Sequence, residues 1–266
     1  MFDSKYGRNN MVKAIFFDID GTLVSFQTHE ISPGVRAALY ALREKGIRIF
    51  VSTGRGKEDL YVLEGIPFDG YITLNGQYCY TDEEVIYENT LDRRDLMVLQ
   101  EEIEKHPFPC GYTTPAGKRY NFRDERVDEI NAMTHSEGYP AADVSTILEE
   151  KVYQCIAFVN DEEEKALLAK MPHSTSARWY HTFCDICPKG GSKSNGIDKF
   201  LAYYKISLEE AMAFGDGGND APMLQHVPLS VAMGNAVEEV KETASYVTDD
   251  VDHDGVVTAL RHFGIL

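Results

Sequence analysis

Asp18-Ile19-Asp20-Gly21-Thr22, Ser52-Thr53-Gly54-Arg55, Asn75-Gly76 and Gly215-Asp216-Gly217-Gly218-Asn219-Asp220 each follow directly on an apolar run. Ligand sites of open α/β sheets lie outside the carboxyl ends of the strands, so if the runs are parallel strands these clusters converge on one edge. Three or four carboxylates would then share a small volume, which is costly unless a cation neutralises them. Hard oxygen ligands drawn from short loops suit Mg²⁺ better than a transition metal. A carboxylate beside such a cation is a competent nucleophile toward phosphorus, and a second one two residues on can protonate a departing oxygen and then activate water. Thr53 can donate to a phosphoryl oxygen. Lys193, at an expected helix start, supplies the positive charge that a site of carboxylates lacks. Together these residues read as a phosphoryl-transfer site.

The elements that must position them follow from the hydrophobic pattern. Residues 12–20 form a nearly unbroken apolar, β-branched and aromatic run, the pattern of a strand buried on both faces. Ser32-Pro33 opens a helix with Val35, Ala38, Leu39 and Leu42 on one face, and Gly46 stops it. Strands at 47–52 and 71–74 flank a helix around 57–63, which predicts right-handed crossovers and a parallel α/β sheet. From about residue 80 the texture changes to an α+β pattern, with a helix over 92–105, a strand at 152–159, a helix over 161–171 and one strand through Arg178–Ile186. After Gly190 the alternation returns: a helix over 192–204, a capping-box pattern at Ser207–Glu210, strands at 211–214 and 229–233, a helix capped by Asn235, a short strand at 246–247 and a helix from Asp254. The expected organisation is a polar tail over 1–10, an α/β core over 11–79 and 186–266, and an α+β domain inserted at 80–185.

In order and spacing, Asp18-x-Asp20-Gly21-Thr22-Leu23, Thr53-Gly54-Arg55, Lys193 and Gly215-Asp216-Gly-Gly-Asn219-Asp220 resemble the four motifs of the haloacid dehalogenase (HAD) superfamily. The insert position, Asn75-Gly76, Pro188-Lys189-Gly190 and Val231–Ala236 resemble its Cof-type phosphatases, which carry a type IIB cap. The resemblance implies a Rossmann-like parallel-sheet core with an inserted α+β cap of type C2B. It also implies Asp18 as the nucleophile, Asp20 as general acid and then base, and Thr53 and Lys193 as holders of the phosphoryl group. Asp216 would bind Mg²⁺ with Asp18 and the Asp20 carbonyl. Asn219 and Asp220 would complete the polar shell, Asp220 through water or by orienting Lys193. Gly54, Arg55 and Asn75 are candidates for substrate contact. Because dehalogenases proper lack the second Asp of the first motif, Asp20 argues for ester hydrolysis. The expected activity is a Mg²⁺-dependent phosphatase acting on a small phosphorylated metabolite, with a sugar phosphate as the expected class. A phosphomutase and a silent phospho-ligand sensor are the alternatives.

The remaining features narrow the field. Twenty-six Lys and Arg against 43 Asp and Glu give a formal net charge of −17, which argues against nucleic-acid or anionic membrane partners. No apolar run is long enough to span a bilayer, and residues 1–10 lack the apolar centre of an export signal. The five cysteines are expected to be reduced thiols in a cytoplasm. Cys184-x-x-Cys187 has no second pair, and in a strand the two would point to opposite faces. Asp250-x-Asp252-x-Asp254-Gly255 opens like a calcium loop but has Arg261 where a bidentate Glu is needed. Gly190–Ser194 lacks the Gly-Lys of a nucleotide-binding loop. In the insert, Arg119, Tyr120, Arg123 and Arg178 could meet a polar leaving group, and Trp179, Tyr180 and Phe183 are expected to pack within the cap.

Overall fold

A computed structural model describes residues 12–133 and 138–266. The expected tail over 1–10 lies outside the described residues, as does the Trp179 side chain. The chain begins with β1 (Ala14–Phe17), α1 (Pro33–Glu44), β2 (Arg48–Ser52), β3 (Gly70–Thr73), β4 (Tyr78–Tyr80) and β5 (Val85–Glu88). It continues with α2 (Arg93–Lys105), β6 (Cys110–Thr114), β7 (Gly117–Tyr120), α3 (Glu125–Met133), β8 (Gln154–Ala157), α4 (Asp161–Leu168), β9 (Ser174–Tyr180) and β10 (Phe183–Pro188). The last stretch holds α5 (Lys193–Tyr204), β11 (Ala211–Gly215), α6 (Ala221–His226), β12 (Leu229–Ala232), α7 (Glu238–Lys241), β13 (Tyr246–Val247) and α8 (Gly255–His262).

Two units result, one formed by the residues up to Tyr87 with Ser192–Leu266, the other by Glu88–Gly191. The first is built on an eight-stranded sheet in the order β13-β12-β11-β1-β2-β3-β4-β5. Its strands from β13 to β3 run parallel, and β4 turns back antiparallel to β3. All four residues of β1 are buried because both faces are covered. Ile15 and Phe17 face the core formed with α1 and α8, whereas Ala14 and Phe16 face the core that includes Ile197 and Phe200 of α5. Phe16 stacks on Phe50 at 4.7 Å and Phe17 on Phe214 at 5.1 Å. Ser32 Oγ accepts from Val35 N and Pro33 stands at the first helical position, so α1 starts where local chemistry dictates.

The second unit is a five-stranded antiparallel sheet, β7-β6-β8-β10-β9. Its main core packs Leu96 and Leu99 of α2 and Leu167 of α4 against Cys110, Tyr112, Cys155 and Cys184. The α/β core with an α+β insertion thus agrees with the sequence reading, but several local expectations need correction. The insertion runs over 88–191 rather than 80–185, because β4 and β5 extend the first sheet and Ile186–Pro188 finish β10 in the second. The single strand expected through Arg178–Ile186 is a hairpin, β9 and β10, with Tyr180 paired to Phe183 across His181-Thr182. Residues 57–63 form a 3₁₀ segment rather than an α-helix. Asn235 caps no helix: α7 begins three residues later, with Val237 at its N-cap.

Candidate active site

Because β1, β2, β3 and β11 are parallel, their carboxyl ends share one edge, and Asp18, Thr53, Leu74 and Asp216 are the first residues beyond them. Lys193 is the first residue of α5, whose N-cap Ser192 accepts from Asn195 N at 3.0 Å. The lysine side chain is fully buried and donates to Asp18 Oδ1 and to Asp220 Oδ1, both at 2.5 Å. Asp220 Oδ2 accepts from the Asp216 and Gly217 amides at 3.0 and 2.9 Å, which fixes the Gly215–Asp220 loop around it. Burial would lower the Lys193 pKa, but the two carboxylates outweigh it and raise it to about 12, so the residue stays cationic.

Asp216 has a different environment. Thr22 Oγ1 donates to its Oδ1 and Asn235 Nδ2 to its Oδ2, both at 3.1 Å. Burial, and then the charge of Asp220, raise its pKa to about 6. Burial and Asp220 also hold the Asp18 carboxyl well above its ordinary value despite Lys193. Gly21 makes this approach possible: with φ +79°, a Cβ there would stand 2.1 Å from Asp216 Oδ2.

Asp20 stands apart from that cluster. Both its oxygens accept from Arg55, Oδ2 from Nε at 2.9 Å and Oδ1 from Nη2 at 2.7 Å, in a bidentate fork. Arg55 also donates to the Asp59 carbonyl at 2.8 Å. The buried Thr53 accepts the Arg55 amide on Oγ1 at 3.1 Å and keeps a hydroxyl proton to give. Asn75 adopts the left-handed region (φ 52°) and accepts from Asn219 Nδ2 at 2.9 Å, and Gly54 lies beside both amides. The ten residues singled out at the strand ends and at Lys193 therefore lie in the first unit, in three groups. Arg55 meets Asp20 there, and Asn235 is an addition that sequence reasoning took for a helix cap.

The donor set can be tested for a cation. Oxygens of Asp18, Asp216 and Asp220 lie within 4.8 Å of one another, and Lys193 is the cation bonded to two of these carboxylates. Two negative charges are left uncompensated, and burial followed by the charge of Asp220 raises both Asp18 and Asp216. A divalent, oxygen-preferring ion fits such a set. Asp92, Asp95 and His173 of the second unit also group closely, but there Asp95 accepts from His173 N and Ser174 Oγ, while Arg94 reaches both Asp92 and His173. That group is paired internally. The Asp250–Asp254 carboxylates diverge too: Asp252 accepts from Ser25 and Gln27, Asp254 from Ser32, and Asp250 pairs with His253.

Within the second unit, Arg119 pairs with Glu150, Arg123 with Asp128, and Arg178 with Asp161 and Glu164, while Tyr120 is buried against Phe158. These residues are engaged in the unit's own structure. Cys184 and Cys187 both lie on β10, Cys184 buried and Cys187 half-buried, and burial raises each thiol to about 12. No described helix is long and apolar enough to cross a membrane.

A family model described as haloacid dehalogenase-like hydrolase matches residues 15–260. The candidate phosphatase YkrA of Bacillus subtilis (strain 168) is 33% identical over 257 residues, 96% of this chain and 98% of its own. A HAD-superfamily phosphatase structure from Bacteroides thetaiotaomicron superposes with a TM-score of 0.89 at 34% identity and 98% coverage of both chains. A sugar phosphatase of HAD subclass IIB superposes with a TM-score of 0.83 at 40% identity, covering 96% of this chain and all of its own.

Proposed function

The chain belongs to the haloacid dehalogenase-like hydrolases, as a phosphatase of the Cof-type branch, and from that premise we propose that it hydrolyses the phosphate monoester of a small metabolite, a sugar phosphate, with Mg²⁺ as cofactor and Asp18 as nucleophile. The observation that carries this reading is the buried Lys193 bonded to Asp18 and Asp220, with Asp216 completing the acidic set. The 40%-identical sugar phosphatase supports the substrate class. Five free cysteines support a reducing, cytoplasmic setting.

In the first step an Asp18 carboxylate oxygen attacks phosphorus. The bond to the leaving oxygen breaks, and that oxygen takes its proton from Asp20, which for this step must be protonated and released by Arg55 on one oxygen. In the second step Asp20, now a carboxylate, removes a proton from water as the water attacks phosphorus. The Asp18–phosphorus bond breaks, returning both carboxyl groups to their initial states. Lys193 holds phosphoryl oxygens by charge and Thr53 by its free hydroxyl proton. Asp18, Asp216 and the Asp20 carbonyl would hold Mg²⁺, which would supply positive charge to offset the repulsion between an anionic substrate and an acidic site. Asp220 keeps Lys193 oriented. Arg55 holds Asp20, and Gly54, Asn75 and Asn219 border the same edge, where they can meet the leaving group.

The test is a panel of phosphate esters, including p-nitrophenyl phosphate and several hexose and pentose phosphates, assayed with Mg²⁺ and with chelator. Metal-dependent release of inorganic phosphate, fastest for a sugar ester, is the expected result. Isomerised sugar phosphate in place of free phosphate would indicate a mutase, and binding without turnover would contradict an enzyme.

A further inference from the structure

Asn235 uses its whole amide at one junction. Its Nδ2 donates to the Gly21 carbonyl at 2.9 Å and to Asp216 Oδ2 at 3.1 Å, and its Oδ1 accepts from Val251 N at 3.0 Å. The three partners belong to different loops: the one after β1 that carries Asp20, the one after β11 that carries Asp216, and the one preceding α8. Thr22 Oγ1 takes the other Asp216 oxygen at 3.1 Å, so each oxygen of that carboxylate has one donor. A carboxylate loosely placed loses part of its binding free energy in being ordered, and outer hydrogen bonds remove that cost in advance. The position also has a packing reason. Gly21 leaves no room for a Cβ against Asp216 Oδ2, so its loop and the carboxylate are in contact, and Asn235 ties the Gly21 carbonyl to that same oxygen.

We propose that Asn235 is a positioning residue for the divalent-cation site: it fixes Asp216 in its ligating orientation and locks the Asp20 loop to it. The proposal rests on the reading of Asp18 and Asp216 as metal ligands. It is distinct from a helix-capping role, since α7 starts at Glu238. It is also distinct from a purely structural one, because removing the amide should weaken the cation more than the fold.

The experiment uses the full chain and Mg²⁺ alone, without substrate, and reads the Mg²⁺ concentration at half-maximal thermal stabilisation for the parent and for Asn235→Ala. In the variant this midpoint should rise about tenfold or more, while its KM for p-nitrophenyl phosphate at saturating Mg²⁺ stays within about twofold of the parent. A lowered metal-free melting temperature with an unchanged midpoint would overturn the proposal. So would a midpoint that moves equally in Glu101→Ala, an exposed residue of α2 in the second unit. If Asn235→Ala does not fold, the parent alone decides: the Asn235 side-chain amide and Val251 backbone amide resonances should shift on Mg²⁺ titration with the same midpoint, and static resonances would contradict it. A parent that shows no stabilisation by any divalent ion would instead refute the metal-site reading itself.

Discussion

Burial and the charge of Asp220 raise the Asp216 carboxyl to about 6, and a proton there competes directly with a cation. The group is ionised above that value and protonated below it, so metal affinity should fall as pH drops through 6. The Mg²⁺ midpoint at pH 5 should be about tenfold higher than at pH 7, measured by thermal shift at constant ionic strength, and a flat midpoint would contradict the assignment. Asp20 is governed by a different contact, the fork of Arg55 on both its oxygens. Lysine keeps the charge but cannot reproduce the fork. Arg55→Lys should therefore slow turnover of a sugar phosphate, whose leaving oxygen needs a proton, by about 10- to 100-fold. Turnover of p-nitrophenyl phosphate, which leaves readily as an anion, should suffer much less. Equal losses on the two substrates would argue against Arg55 acting through Asp20. Asp18, Asp216 and Asp220 could be singled out in the sequence because each sits in a compact motif at the end of an apolar run, and Lys193 only through its co-occurrence with them at a helix start. The Arg55–Asp20 and Asn235–Asp216 pairs were not, since they span 35 and 19 positions and no local pattern announces a side chain's reach across loops. Asn235, standing just ahead of Val237-Glu238-Glu239, looked like a cap on local grounds alone.

Among the elements, α5 is placed by a close approach rather than by its own propensity. A Cβ on Gly76 would lie 2.0 Å from the Ser192 carbonyl oxygen, and Gly76 itself has φ +92°. Ser192 caps the helix that Lys193 begins, so this contact sets where the buried ammonium arrives. Gly76→Ala must displace backbone and adopt a left-handed conformation, which should cost about 2 to 4 kcal/mol and lower kcat as Lys193 shifts. Chemical denaturation and steady-state kinetics check both, and an unchanged unfolding midpoint would contradict the packing argument. The parallel strands of the first unit could be read from the sequence because they are continuous apolar runs. The second unit was harder. Its β9–β10 turn, His181-Thr182, contains none of the usual turn residues, so the hairpin read as one strand. The polar segment Thr81–Glu84 hid the fact that β5 returns to the first sheet, with Thr81 N bonded to the Glu84 carbonyl at 2.8 Å.

At the scale of the molecule, the net charge of −17 says little about the ligand. Screening confines most of that field to its surroundings, roughly 8 to 10 Å at ordinary ionic strength, while the proposed site meets phosphate through one buried lysine and a cation. The nested arrangement follows from the chain order: the described residues up to 87 and from 192 onward build one sheet whose edge gathers all the proposed chemistry, and those of 88–191 form a separate sheet. The proposed reaction turns on Asp18 as the residue that receives the phosphoryl group. Acid quench during turnover of p-nitrophenyl phosphate, followed by borohydride reduction and peptide mass mapping, reads that directly, because reduction converts an acyl phosphate to homoserine. Homoserine at position 18, formed only with Mg²⁺ and substrate and absent in Asp18→Asn, is the predicted result. Sustained turnover with Asp18 unmodified, or full activity in Asp18→Asn, would contradict it.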